Sequence, residues 1–161
     1  MNPYTSRILG LLGHRDPLEV LRQTPGLLEA LTARMDPEQS YGPGKWTARE
    51  ILGHLADTEL AMGFRIRQTL TADHPTVQPF DQEAWAKRYS GLPLPLALET
   101  FRALRAWNLA LIGGLSDDDL GRTYYHPERE EWESLRRLVH LMAGHDLNHL
   151  AQLEQIAGED I

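Results

Sequence analysis

Four long stretches of this chain place apolar residues at the 3.6-residue spacing of a helix, and no segment alternates apolar and polar residues for more than a few positions. The sequence therefore reads as all-α. The first helix is expected from about Pro17 to about Met35, with Asp16 as N-cap and proline at the favoured first position. Pro25-Gly26 should kink or break it. The second has the clearest start, because Thr47 and Glu50 form a capping box and Trp46 and Ile51 a hydrophobic staple, and it runs to about Thr71. A Pro-rich stretch from His74 to Pro95 follows, long for a bundle connection, in which Asp81 caps a short helix around Trp85. The third long helix covers about Leu96 to Ile112 and ends at Gly113-Gly114, after which Ser116 caps a short turn. The fourth starts after Ser134 and stops at Gly158. At about 1.5 Å per residue the longest of these reach roughly 35 Å, so the four can pack as one bundle.

With 161 residues, the chain is expected to form a single domain over 1–161. Sixteen basic residues against 23 acidic ones give a net charge of -7, which argues against nucleic acid or an anionic membrane surface as partner. No apolar run approaches the roughly 20 residues of a membrane span. Met1 to Thr5 lack the basic-then-apolar pattern of a signal peptide, so the expected location is cytoplasmic. Cysteine is absent, which removes disulfides, thiolate nucleophiles, iron–sulfur clusters and zinc fingers. Any metal must be held by His, Asp or Glu.

Placement of the seven histidines carries most of the functional information. His145 and His149 are four apart on one helical face, close enough for both imidazoles to reach one ion. That face continues through Leu138, Met142 and Ile156, so the pair points into the bundle. His54 shares a face with Ile51 and Thr58 and points inward too. Three buried neutral imidazoles are difficult to satisfy with one another, and a divalent metal resolves this; the alternative is a pair that only hydrogen-bonds to its neighbours. His145-Asp146-x-x-His149 is also a near match to the H-E-x-x-H motif of zinc proteases. It is set aside because aspartate is one methylene shorter than the glutamate base and no histidine follows.

Trp46-Thr47-x-x-Glu50, Gly53-His54-Leu55-x-Asp57-x-Glu59, Phe80-Asp81 with Trp85, Phe101-Arg102, His126-Pro127 and Gly144-His145-Asp146-x-Asn148-His149-x-x-Gln152 follow in an order and spacing that resemble the DinB/YfiT-like superfamily over about residues 17 to 157. The resemblance implies an up-down-down-up four-helix bundle, often a homodimer, with a three-histidine metal site that leaves coordination positions open. By position the ligands are His54, His145 and His149. Family members commonly carry histidine just before the last ligand, where this chain has Asn148. Activities in the family include transferases that use low-molecular-weight thiols of the bacillithiol or mycothiol type, and related maleylpyruvate isomerases.

An open three-histidine site suits catalysis, since the ion can activate either water or a thiol. Without cysteine, a thiol must arrive as co-substrate. Zinc or nickel leads the metal expectation, with iron or manganese also compatible with histidine. Asp57 is a candidate base or ligand-orienting carboxylate, and Gln152 a candidate pocket residue. Asp146 reads as a capping or interface partner; Trp85 and Tyr89 as core or a lid; His126 as a turn or a loop over the pocket; His14, His74 and His140 as surface or loop residues. The expected function is thiol S-transfer to a small electrophile, with a metal-dependent hydrolase or a non-catalytic, stress-related metal-binding dimer as alternatives. An apolar face including Trp107 is expected to support a homodimer.

Overall fold

The computed structural model describes residues 1–158. Helices α1 (Pro3–Leu12), α2 (Pro17–Thr32) and α3 (Ala48–Thr71) are followed by the short α4 (Gln82–Ala86), then α5 (Leu94–Ile112) and the single turn α6 (Asp117–Leu120). Strands β1 (Thr123–His126) and β2 (Glu131–Ser134) lead into α7 (Leu135–Ala157). No described helix is long and apolar enough to cross a membrane.

Helices α2, α3, α5 and α7 make a four-helix bundle, and its two apolar clusters fix their directions. One cluster joins Leu28 of α2, Ile51, Leu52 and Leu55 of α3, Leu94 and Phe101 of α5, and Leu150, Leu153 and Ile156 of α7. The beginnings of α3 and α5 thus meet the later parts of α2 and α7. The second cluster reverses this, joining Val20 and Leu21, Met62 and Ile66, Ile112, and Leu135 to Met142. The topology is up-down-down-up, and the long connection between α3 and α5 exists because two parallel helices must be joined end to start.

Between the clusters lies a buried polar layer centred on Arg105 of α5, which is 2% exposed. Its Nε and Nη2 donate to Glu59 of α3 at 2.8 and 3.2 Å, its Nη1 and Nη2 donate to Asp146 of α7 at 2.7 and 2.9 Å, and Nη1 also donates to the Leu21 carbonyl of α2 at 3.0 Å. All five guanidinium donors are used. Burial alone would lower the Arg105 pKa, but the two carboxylates reverse this and raise it above its ordinary value. Asp146 also accepts from the Thr24 hydroxyl at 2.6 Å.

The same interaction explains why Pro25 does not break the first helix. Proline cannot donate to the carbonyl four residues back, which leaves Leu21 without its helical partner. Arg105 supplies the missing donor, and α2 is continuous from Pro17 to Thr32 with Pro25 inside it.

Two elements depart from the sequence reading. Helix α1 was not expected; it is capped by Asn2, whose side chain accepts from the Tyr4 amide, and buries Thr5, Ile8 and Leu12. It crosses α7 at Gly144, where a Cβ would come within 2.2 Å of the Ile8 carbonyl oxygen, so only glycine allows the approach. The second is the antiparallel pair β1–β2, registered Thr123 to Ser134 and His126 to Glu131. Each strand has only four residues, too few for a period of two to stand out.

Replacing Arg105 by methionine leaves Glu59 and Asp146 buried without their counter-charge. Urea unfolding is expected to show a loss of about 3–5 kcal/mol; a loss below about 1 kcal/mol would mean that the layer is not held by its charges.

Candidate metal centre

His54 sits two turns into α3 and is 2% exposed. His145 and His149 lie one turn apart on α7, opposite it. The Nε2 atoms of His54 and His145 are 2.9 Å apart, and those of His149 and His145 are 3.1 Å apart. Donors about 2.0–2.1 Å from a tetrahedral zinc ion are roughly 3.3 Å from one another, so the cluster is within a few tenths of an ångström of a ligand set. Among the described residues, these three form the group of side chains able to hold a metal ion.

Gln152 fixes the tautomer of His149. His149 Nδ1 donates to Gln152 Oε1 at 2.8 Å, which leaves the lone pair of Nε2 facing the centre. Thr58 Oγ1 lies 3.4 Å from His54 Nδ1. Protonation is suppressed at all three. Burial and the neighbouring His149 lower the His54 pKa to about 3. Burial lowers that of His149 to about 4, with Gln152 opposing and Arg7 assisting. Burial and the other two imidazoles hold His145 well below the ordinary range. At neutral pH the centre therefore presents three neutral imidazoles, the form that binds a divalent cation.

Glycine immediately precedes His54 on α3 and His145 on α7. A Cβ at Gly53 would meet the Tyr89 ring at 2.8 Å, and Gly144 admits α1. These two backbone approaches bring the long connection and the N-terminal helix against the site. The roof is Trp46, whose ring lies 4.8 Å from that of His54 and stacks at 6.1 Å on that of His149. Its Nε1 donates to Glu83 Oε2 at 3.1 Å. Sequence reasoning placed Trp46 in a hydrophobic staple and in the family motif, but not over the histidines, because its stacking on His149 joins residues about a hundred positions apart.

Asp57 accepts a 2.7 Å hydrogen bond from Tyr89 Oη and makes none to the three histidines among the described bonds. Thr58 occupies the orienting place beside His54 that was expected of Asp57. Tyr89 is buried against Gly53 rather than lying over the centre, and Trp85 stacks on Phe80 at 4.6 Å. Asn148 accepts from Arg7 of α1 at 3.1 Å. His126 ends β1, is 5% exposed and lines the interior cavity described next.

Two clefts reach the cluster. An interior cavity of about 320 Å³ between α3, α5 and α7 is lined by His54, His145 and an apolar wall that includes Leu55, Met62, Phe80 and Met142. A second cleft of about 300 Å³, more polar, is lined by His145, His149, Gln152, Trp46, Arg7 and Lys45. His145 belongs to both.

The sequence pattern of the DinB superfamily matches residues 20–153. The chain belongs to this superfamily. Among DinB relatives, a protein of Oceanobacillus iheyensis named "Putative metal-dependent hydrolase OB0782" is 31% identical over 140 residues, covering 84% of this chain and 81% of its own. YfiT of Bacillus subtilis, which carries the same description, is 28% identical over 145 residues, covering 87% and 82%. The solved YfiT structure superposes with a TM-score of 0.81 over 89% of this chain and 87% of its own, at 26% identity. The DinB bundle is shared by the mycothiol-dependent maleylpyruvate isomerase, with a TM-score of 0.69 at 15% identity, over 85% of this chain and 59% of that one.

The depressed histidine pKa values make stability depend on pH. In the unfolded chain each imidazole titrates near about 6.5. In the native state it stays neutral to about 3 at His54 and about 4 at His149. Between those limits the unfolded state binds more protons, so stability is complete above about pH 6.5 and falls as the pH drops through the window. Metal-free protein is expected to lose up to about 1 kcal/mol per pH unit per histidine between pH 6 and 4. Urea midpoints across that range measure it, and the His54→Gln variant should show a shallower slope.

Proposed function

We propose that this DinB protein is a metal-dependent enzyme in which His54, His145 and His149 hold one divalent ion, zinc or nickel before iron or manganese, and which transfers a low-molecular-weight thiol of the bacillithiol or mycothiol type to a small electrophile. A divalent ion bound by three neutral imidazoles keeps its double charge and acidifies a coordinated thiol or water. Gln152 positions His149 by holding its Nδ1 proton, and Thr58 stands in the same relation to His54.

The observation that carries the reading is that one histidine cluster is shared by two clefts, which suits a reaction of two substrates. The carboxylates near the centre have partners: Glu59 and Asp146 are ion-paired with Arg105, and one oxygen of Asp57 accepts from Tyr89. A thiol, with an ordinary pKa of about 8.5, needs far less help to ionise than water at about 15.7. Hydrolysis is the second reading, favoured by the names of the relatives.

Protein purified without a chelator or histidine tag is expected to hold one divalent ion per chain by elemental analysis. The ion is lost in the His54→Ala, His145→Ala and His149→Ala variants, retained in His14→Ala, and bound about 10- to 100-fold more weakly in Gln152→Leu. With zinc, nickel, iron or manganese added, thiol consumption against a chromogenic haloarene should exceed that of His149→Ala. Metal-dependent product release without thiol would establish hydrolysis instead. Metal binding with no turnover of either kind would leave a non-catalytic metal-binding protein.

The proposed assembly is a homodimer. Leu60 and Phe64 of α3 and Trp107 of α5 are 56%, 67% and 68% exposed on two neighbouring helices, and a partner chain would cover them. Sedimentation equilibrium at micromolar concentration should give a dimer, and Phe64→Glu with Trp107→Glu a monomer, if these helices form the interface.

A further inference from the structure

The interior cavity contains a second charged feature that the metal reading does not use. Arg65 lines it and is 6% exposed. Buried guanidinium groups are ordinarily paired, as Arg105 is. Arg65 makes no salt bridge among the described residues. Its side-chain neighbours are Met62 Sδ at 3.9 Å and the Tyr124 ring, whose centre is 5.6 Å from Cζ. The carboxylate in its vicinity, Glu133, is already engaged: Oε1 accepts from Tyr124 Oη at 2.9 Å, and Arg129 reaches both oxygens, at 2.5 and 3.1 Å. Arg129 thus takes the carboxylate beside the cavity wall, and Arg65 makes no ion pair with it. The remaining charged lining consists of Glu59 and Asp146, neutralised in part by Arg105, and the exposed Glu128.

Arg65 also faces the right way. It lies 11 residues after His54 on α3, a rotation of about 20° and a rise of about 16 Å, so the two share one helix face. Side chains on a helix lean toward its N-terminus, and the contact with Met62 shows the guanidinium doing so, back toward His54. Between the two ends the lining is Leu55, Met62, Phe80, Phe101, Leu138 and Met142, interrupted by Glu59 and Asp146, which Arg105 holds. His126, at the end of β1, adds a second polar group to the arginine end.

We infer that the arginine end of this cavity is an anion subsite, in which Arg65 binds a carboxylate of the electrophilic substrate while its apolar body extends along the cavity toward the histidine cluster. A carboxylate matches the planar fork of a guanidinium with two parallel N–H bonds and supplies the counter-charge that Arg65 lacks. The substrate class is therefore a small amphiphilic carboxylic acid with its reacting group distal to the carboxylate. This deepens the metal-enzyme reading, on which it rests for the reacting end alone.

Hexanoate and its neutral isostere hexanamide are suitable probes, followed by isothermal titration calorimetry with and without added zinc. The subsite predicts that wild type prefers hexanoate over hexanamide by at least about tenfold with or without zinc. Arg65→Met, which keeps the volume, should abolish the preference while still binding hexanamide, the evidence that its cavity is intact; Arg65→Lys should retain part of it. Equal affinities for acid and amide in wild type, or a preference surviving in Arg65→Met, would overturn the proposal. So would a preference that appears only with zinc, because the carboxylate would then sit on the metal. Since the zinc-free arm needs neither metal nor turnover, failure of the enzyme reading leaves this result interpretable, and the reverse also holds.

Discussion

The guanidinium of Arg105 joins all four bundle helices at one point: it bonds Leu21 of α2, Glu59 of α3 and Asp146 of α7 while belonging to α5. In a bundle held by apolar contacts alone, neighbouring helices can slide or rotate with little penalty, because methyl groups carry no directional preference. A planar fork with five partners does not permit this. Asp146 adjoins His145, and Glu59 lies one residue from Thr58, so the interaction that sets the helix register also sets where the imidazoles meet. Charge alone would not make such a layer stabilising, since desolvating three ionised groups is costly. Its effect is registration.

The histidine centre has the opposite character. Arg105 is saturated with partners, whereas the three histidine Nε2 atoms converge on one another. Burial makes the imidazoles neutral and the tautomer of His149 directs its lone pair inward, so without a cation the cluster is held together by the surrounding fold. Trp46 above, Tyr89 against Gly53 and α1 across Gly144 provide that confinement. The approaches of Tyr89 and of α1 each depend on a residue having no side chain at all. This gives Gly53 and Gly144 a physical role beside the ligands that no chemistry of their own would suggest.

Along the cavity the histidine cluster lies at one end and Arg65 at the other, with apolar side chains and the Arg105 layer between. A molecule that is negative at one end, apolar in the middle and electrophilic at the other would complement all three. The fold supplies this polarity by running α3 past both ends.

The sequence by itself determined whatever depends on neighbours along the chain. Capping at Thr47, Ser116 and Ser134, the glycine stop at Gly158, and the i, i+4 spacing of His145 and His149 are local relations, and all are present in the structure. The position of His54 on the inner face followed from helical period. The order of motifs carried the family, and with it the topology. Tertiary structure decided the rest. Whether Pro25 interrupts α2 depended on Arg105, eighty residues away, donating to the orphaned Leu21 carbonyl. Asp57 read from sequence as a candidate base or ligand-orienting carboxylate; the Tyr89 hydroxyl, delivered by the long connection, donates to it, and Thr58 is the residue beside His54 Nδ1. Trp46 as a roof, the isolation of Arg65 and the short strands of the hairpin likewise arise from contacts between distant segments. Local periodicity and capping record which face each residue is on, but not which distant group will meet it there, and partner choice is what separates a satisfied side chain from an available one.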